Sequence, residues 1–175
     1  MKILVNILCW FIPNKNKRKD IRGKLIKSKL RHKKLLEYGC VIEGDVASTK
    51  EHIRFDISDH AKVCTHIEEI LTNETYNLSY KGDSIVIDIG MNRAIASLFF
   101  ASKENVKKVY AFEPFKPTVA LAKKNLDLNP VLNKKIQIFA FGLGKENTTL
   151  EIPYSIDISD CMSTTNAITA RHNVQ

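Results

Sequence analysis

One stretch, Ser84–Leu98, limits what this chain can fold into more than any other. Its apolar, β-branched run Ile85–Ile87 is typical of a strand buried on both faces of a parallel sheet. The run ends on Asp88, and Gly90 precedes an apolar helical pattern that begins at Ile95. A strand, a glycine-containing turn and a helix, in that order, form the first βα unit of a nucleotide-binding α/β domain.

A second carboxylate follows at the spacing that such a domain uses for ribose recognition. Glu113 stands twenty-five positions after Asp88, at the end of the strand-like run Val109–Phe112. A carboxylate at the end of the second strand can accept two hydrogen bonds from the ribose hydroxyls. The two acids therefore predict a site for a nucleoside at the edge of the sheet.

The turn between the first strand and its helix separates the candidate cofactors. A dinucleotide site needs Gly-x-Gly-x-x-Gly, but here Gly90 is followed by Asn92, and Ala94 stands where a further glycine would help. Asp88 disfavours a phosphate and favours a cation. S-adenosylmethionine has no phosphate and carries a sulfonium, an ammonium and a ribose diol, so the pattern with Glu113 fits this methyl donor better than NAD.

Three segments of the chain resemble the FkbM family of S-adenosylmethionine-dependent methyltransferases. They are Val86–Ala101, Val109–Pro114 and Lys123–Asn129, within a resemblance that runs from about residue 69 to about residue 152. The resemblance implies that the cofactor site contains Asp88, Gly90, Asn92 and Glu113, with Ala94 where the backbone approaches the ligand. It also implies methyl transfer to an oxygen of a sugar or a glycan-related metabolite.

The turn departs from the family pattern at Met91, Arg93 and Ala94. The family usually has a small apolar residue at the first of these positions and Ile-Gly at the other two. Arg93 brings a cation toward a cationic cofactor, unless its side chain points to water or holds the methionine carboxylate. The sequence leaves these alternatives open.

The expected fold class is α/β, with a partial Rossmann-like, class I methyltransferase sheet and a basic helical N-terminal extension. The third parallel strand is expected at Lys135–Phe141, before a turn at Gly142–Gly144, and Thr148–Ile152 is expected to form a further strand. Crossover connections would place the next parallel strand on the other side of the first. No such strand follows, so residues 81–175 are interpreted as the cofactor-binding half of a domain whose C-terminal half is absent, in a fragment or a degenerate protein.

A small hairpin and one helix are expected over residues 39–80. The hairpin would pair Cys40–Ile42 with His52–Ile57, across turn residues such as Gly44. The helix would be capped by Asp59 and end near Asn73. Its expected apolar face consists of Val63, Ile67, Ile70 and Leu71.

Residues 1–38 form a basic extension with an apolar tip. Residues 1–36 contain twelve Lys and Arg and one acid, Asp20, and residues 3–12 are almost entirely apolar. The apolar run is too short to cross a bilayer, which takes about 20 residues. Residues 3–34 fit an interfacial anchor on an anionic membrane surface, although packing on the domain with a solvated basic face explains them equally. Nucleic acid is disfavoured, because one aromatic pair makes no stacking platform.

Neither a metal site nor disulfides are expected. His60 and Cys64 share a helical face but His66 does not, and no fourth ligand lies nearby. The four cysteines are scattered without a Cys-x-x-Cys pair, which is typical of reduced thiols in the cytoplasm. The expected location is therefore cytoplasmic, with peripheral attachment at the inner face of the membrane if the anchor operates.

The sequence leaves the methyl acceptor and the catalytic base unidentified. The leading hypothesis is the cofactor-binding part of an O-methyltransferase that acts on a small molecule or saccharide. A non-catalytic remnant or interaction module is the alternative, and a fragment of an NAD-binding oxidoreductase comes third. The strand Ser84–Asp88 is apolar enough to lie at the centre of a sheet, but only one neighbouring strand is available to it. Marginal stability, oligomerisation or aggregation of the chain is therefore expected.

Overall fold

A computed structural model describes residues 13–58, 63–72, 76 and 82–149 of the chain. The chain divides into two compact units. The first consists of residues 1–52 and 56–72, and the second consists of residues 53–55 and 73–175. The apolar tip at residues 3–12 and the tail after residue 149 lie outside the described residues.

The first described element is helix α1, Lys15–Glu37. Asn14 caps its start, because the side-chain oxygen accepts hydrogen bonds from the backbone N–H groups of Asn16 and Lys17, each at 3.0 Å. The helix ends before Gly39, whose φ of +79° turns the chain out of the helical conformation. The predicted helical extension is therefore present from Lys15 onward.

A three-stranded sheet of order β1-β2-β3 follows, built from Val41–Glu43, Val46–Ser48 and Arg54–Asp56. β1 and β2 pair antiparallel across a two-residue turn that begins at Gly44, where φ is +57°. Both predicted runs contain a strand, β1 and β3, but the predicted pairing between them is wrong. The two-residue turn brings the unpredicted strand β2 back against β1, so β2 lies between β1 and β3 in the sheet.

Helix α2, Val63–Thr72, completes the described part of the first unit. Val63, Ile67 and Ile70 are buried as the helical periodicity predicts, whereas Leu71 is partly exposed. The expected cap, Asp59, lies outside the described residues.

The second unit contains the predicted parallel sheet. Its strands are β4 (Ser84–Ile89), β5 (Val106–Phe112) and β6 (Ile136–Phe139), in the order β4-β5-β6. Both pairs are parallel. The connecting helices are α3 (Ile95–Ala101), α4 (Lys116–Asp127) and α5 (Pro130–Asn133). The further strand expected at Thr148–Ile152 does not begin at Thr148 or Thr149, and its remaining residues lie outside the described part.

One face of this sheet is buried. Val109 and Ala111 of β5 are fully buried, and the apolar faces of α3 and α4 are buried with them. In α4, Pro117 occupies the first turn, where its missing N–H costs no hydrogen bond. Ala120 of this helix is exposed, whereas the polar Asn125 is buried.

The opposite face of β4 is exposed, which contradicts the prediction of a strand buried on both faces. Ile85, Ile87 and Ile89 are 65%, 63% and 68% exposed. They alternate with Val86 and Asp88, because side chains along a strand point to opposite faces. The apolar run meets the requirement for burial on two sides, but the described elements bury only one.

Aromatic rings continue this exposed face across the sheet. Ile89 pairs in register with Phe112, and Phe112 pairs with Phe139, so their side chains lie on the same side. The rings of Phe112 and Phe139 stack with centroids 4.7 Å apart, and Phe141 contacts both at 5.7 and 5.6 Å. A contiguous apolar surface of this kind is unusual on a soluble monomer.

We expect this surface to drive self-association. The double substitution Ile87→Thr and Ile89→Thr should shift the chain toward monomer at a given concentration, because threonine keeps the β-branch and removes exposed apolar area. The measurement is sedimentation velocity over a concentration series. The matched control is Val131→Thr, an exposed substitution on α5. If the double variant and the control associate equally, the sheet face is not the contact.

Candidate functional site

The end of β5 holds the turn that follows β4. The carbonyl oxygen of Phe112 accepts hydrogen bonds from the N–H groups of Gly90 and Met91, at 3.0 and 2.9 Å. Gly90 has a φ of +85°, a left-handed conformation that glycine adopts without steric cost. Apart from its two chain neighbours, a Cβ atom at this position would meet no atom within 4 Å. The space beside Gly90 is therefore open, and the glycine is required by the backbone conformation rather than by crowding.

Two further residues of the turn have positive φ without being glycine. They are Asn92, at +51°, and Ala94, at +61°. Ala94 is fully buried, and its N–H donates to the Met91 carbonyl at 2.9 Å, directly before α3 begins. An alanine in this conformation costs about 1–2 kcal/mol, which the surrounding packing must offset.

Arg93 is buried, with 4% of its surface exposed. Its backbone carbonyl accepts a hydrogen bond from Asn125 Nδ2 at 2.8 Å, which fixes the turn against helix α4. Of the alternatives that the sequence leaves open, an arginine that points to water is therefore wrong.

Glu113 lies directly after β5, as predicted, and is 4% exposed. Its Oε2 accepts from the Asn92 N–H and its Oε1 from the Phe115 N–H, both at 3.0 Å. Burial raises the pKa of the Glu113 carboxyl, the two backbone hydrogen bonds oppose that rise, and the charge of Asp88 adds to it. The carboxylate thus joins the turn after β4 to the segment after β5.

Asp88 lies within β4 rather than at its end, since the strand continues to Ile89. Its Oδ2 accepts a hydrogen bond from the Ser97 hydroxyl of helix α3. Burial raises the pKa of the Asp88 carboxyl, and the Ser97 hydrogen bond partly opposes that rise.

The site thus combines the half-buried carboxylate of Asp88, near the carboxyl end of β4, with the buried carboxylate of Glu113, directly after β5. Open α/β sheets bind ligands at this edge. Among the described residues, neither Asp88 nor Glu113 forms a salt bridge. Their ionised forms lack a compensating cation there, so a cationic group would be stabilised and a phosphate would be repelled. The charge and the open space beside Gly90 therefore fit a cationic ligand.

The structure adds polar residues that the sequence analysis missed. Ser97 contacts Asp88, while Asn125 contacts the Arg93 carbonyl. Asn129 forms two hydrogen bonds to the backbone of Arg54, accepting from its N–H at 2.9 Å and donating to its carbonyl at 2.6 Å. The detectable signal is polarity on an apolar helix face: Asn125 falls three positions after a buried alanine and directly before a buried leucine.

The described residues contain no group of three or more side chains that could hold a metal ion. Cys64 is buried in α2, and His60 lies outside the described residues. Over the same parts of the chain, no helix combines the length and the apolar character that a membrane span needs.

Comparison with known proteins gives one relative to report. A protein named Methyltransferase 1, from the fungus Beauveria bassiana (strain ARSEF 2860), is 27% identical over 88 residues. The alignment covers 50% of this chain and 34% of that relative, so the match spans about a third of the relative's length. No family model matches the chain, and no solved structure matches it significantly. This distant similarity supports a general methyltransferase role.

We expect Glu113→Ala to destabilise the chain even without a ligand. The substitution leaves the N–H groups of Asn92 and Phe115 without their acceptor, so the free energy of unfolding should fall by about 1–3 kcal/mol. Urea denaturation measures this change. The control is Glu104→Ala, an exposed site where a change below about 0.5 kcal/mol is expected. Equal stability of the two variants would contradict a structural role for Glu113.

Proposed function

We propose that this chain is the cofactor-binding part of an S-adenosylmethionine-dependent methyltransferase. The observation that carries the proposal is a pair of carboxylates, half-buried Asp88 and buried Glu113, beside the open space at Gly90. The distant similarity to a fungal methyltransferase supports the same class.

Asp88 and Glu113 would contact different parts of the methyl donor. S-adenosylmethionine, when bound, supplies an electrophilic methyl group on a positively charged sulfur. Asp88 would stabilise a positive charge of the donor, because its half-buried carboxylate forms no salt bridge in the described part of the chain. Each carboxylate oxygen of Glu113 accepts one hydrogen bond from a backbone N–H. The remaining lone pairs would accept hydrogen bonds from the ribose hydroxyls.

The finer proposal is an FkbM-type enzyme that methylates an oxygen of a sugar or a glycan-related metabolite. It is supported by the sequence resemblance in the turn, in the segment ending at Pro114 and in the helix that ends near Asn129. Methyl transfer to a hydroxyl needs a positioned acceptor and a group that removes its proton.

Isothermal titration with S-adenosylmethionine, its demethylated product and NAD tests the proposal. We expect S-adenosylmethionine and its demethylated product to bind and NAD not to bind. Binding of NAD alone would favour the oxidoreductase fragment, and binding of none of the three would favour the non-catalytic alternative. The Gly90→Val variant should abolish donor binding, because the side chain would occupy the open space and disfavour the positive φ.

We expect the affinity for S-adenosylmethionine and the stability of the ligand-free chain to change in opposite directions with pH. The pKa values of Asp88 and Glu113 are raised, so both groups lose their charge at a higher pH than ordinary carboxyls. Donor affinity should therefore fall as the pH drops through the raised pKa values. Over the same window these two groups should make the ligand-free chain more stable, since the folded state binds more protons than the unfolded state.

Titration calorimetry and urea denaturation over a shared pH series measure the two trends. The control is Asp88→Asn, which has no charge to lose at that position and should bind the donor more weakly with a flatter pH profile. Donor affinity of the unsubstituted chain that stays constant through this pH range would remove both carboxylates from the binding site.

A further inference from the structure

Ser97 stands out in helix α3 because it is the one polar side chain between Ile95 and Ala101. The residue is fully buried. Its hydroxyl donates to Asp88 Oδ2 of the neighbouring strand. A helical serine often donates instead to a carbonyl of its own helix. Ser102 does so, donating to the Phe99 carbonyl at 2.7 Å. Ser97 thus joins the helix to the carboxylate rather than satisfying itself locally.

The contact constrains the Asp88 carboxylate. Within the described residues, the Ser97 hydroxyl is the hydrogen-bond donor that the structure gives to this side chain. A donor on Oδ2 fixes the rotation of the carboxylate plane and leaves Oδ1 available to a ligand. Because α3 begins directly after the turn that contains Gly90, the same helix orders the turn and orients the acid.

Glu113, in the segment after β5, is close enough to Asp88 for the charge of Asp88 to raise the Glu113 pKa. Helix α3 contributes no ionisable side chain between Ile95 and Ala101. The Ser97 hydroxyl stabilises the ionised form of Asp88 against the effect of burial, which raises the Asp88 pKa.

We propose that Ser97 is a positioning residue, which holds the Asp88 carboxylate in the orientation that receives the positive charge of the methyl donor. This inference rests on the proposed function and extends it to a residue that acts through Asp88. Ser97 would thus contribute to binding of the methyl donor as well as to the packing of α3.

Ser97→Ala is the test, with Ser102→Ala, at the C-cap of the same helix, as the matched control. Titration at neutral pH should show an affinity for S-adenosylmethionine that is about ten-fold weaker in Ser97→Ala, which corresponds to the loss of a hydrogen bond to a charged group. The affinity of Ser102→Ala should be unchanged. Ser97→Cys keeps the size but has a weaker donor, so it should lose affinity in the same direction. It replaces the alanine variant if that variant does not fold.

The Asp88→Asn background separates positioning from packing. If Ser97 acts through the charge of Asp88, Ser97→Ala should weaken donor binding much less in that background. The proposal would be overturned if Ser97→Ala lost the same donor affinity with and without Asp88→Asn. It would also be overturned if Ser97→Ala alone left the donor affinity unchanged.

A ligand-free measurement keeps this proposal distinct from the proposed function. Carbon-13 NMR titration should show a higher pKa for the Asp88 carboxyl in Ser97→Ala than in the unsubstituted chain, and no change in Ser102→Ala. An unchanged Asp88 pKa would overturn the Ser97 pairing whether or not the donor binds. Absence of donor binding to the unsubstituted chain, with the pKa change present, would instead overturn the proposed function and the donor-directed role of Ser97 with it.

Discussion

The hydrogen bonds between the end of β5 and the turn after β4 are the constraint on which the candidate site depends. The Phe112 carbonyl accepts from two successive N–H groups of the turn, and the Glu113 carboxylate accepts from a third, that of Asn92. These contacts exist because β4 and β5 are parallel and end at the same edge. They hold Gly90 in its left-handed conformation with open space beside it, and they explain why a predicted ligand-binding acid is also a structural residue.

A second layer of polar contacts fixes the other side of the turn. Asn125 donates to the Arg93 carbonyl from helix α4, and Ser97 donates to Asp88 from helix α3. Buried polar groups of this kind stabilise a structure only when they are paired, and here each pairing joins two different elements. The turn is thereby preorganised by the helices on both sides of it, which lowers the ordering cost of binding a ligand.

The exposed face of the sheet, by contrast, is apolar and is not buried by the described elements. Ile87 and Phe112 belong to an apolar surface that the described elements leave in contact with solvent, while the Asp88 side of β4 is half-buried. Parallel sheets are ordinarily covered on both faces, so this surface favours association with further apolar structure. The site and the exposed surface share strands, and any contact on that face would act on β4 and β5 together.

The sequence by itself determined the βα units, because apolar runs, turn glycines and a helix-starting proline are local signals. It also placed Asp88 in the first parallel strand and Glu113 directly after the adjacent one, since consecutive βα units usually put their strands side by side. Only the tertiary structure decided that Ile85 is exposed, that Arg93 is buried and that Ser97 reaches Asp88. Burial and partner choice depend on which elements cover a face, and that information is absent from any local window of the chain.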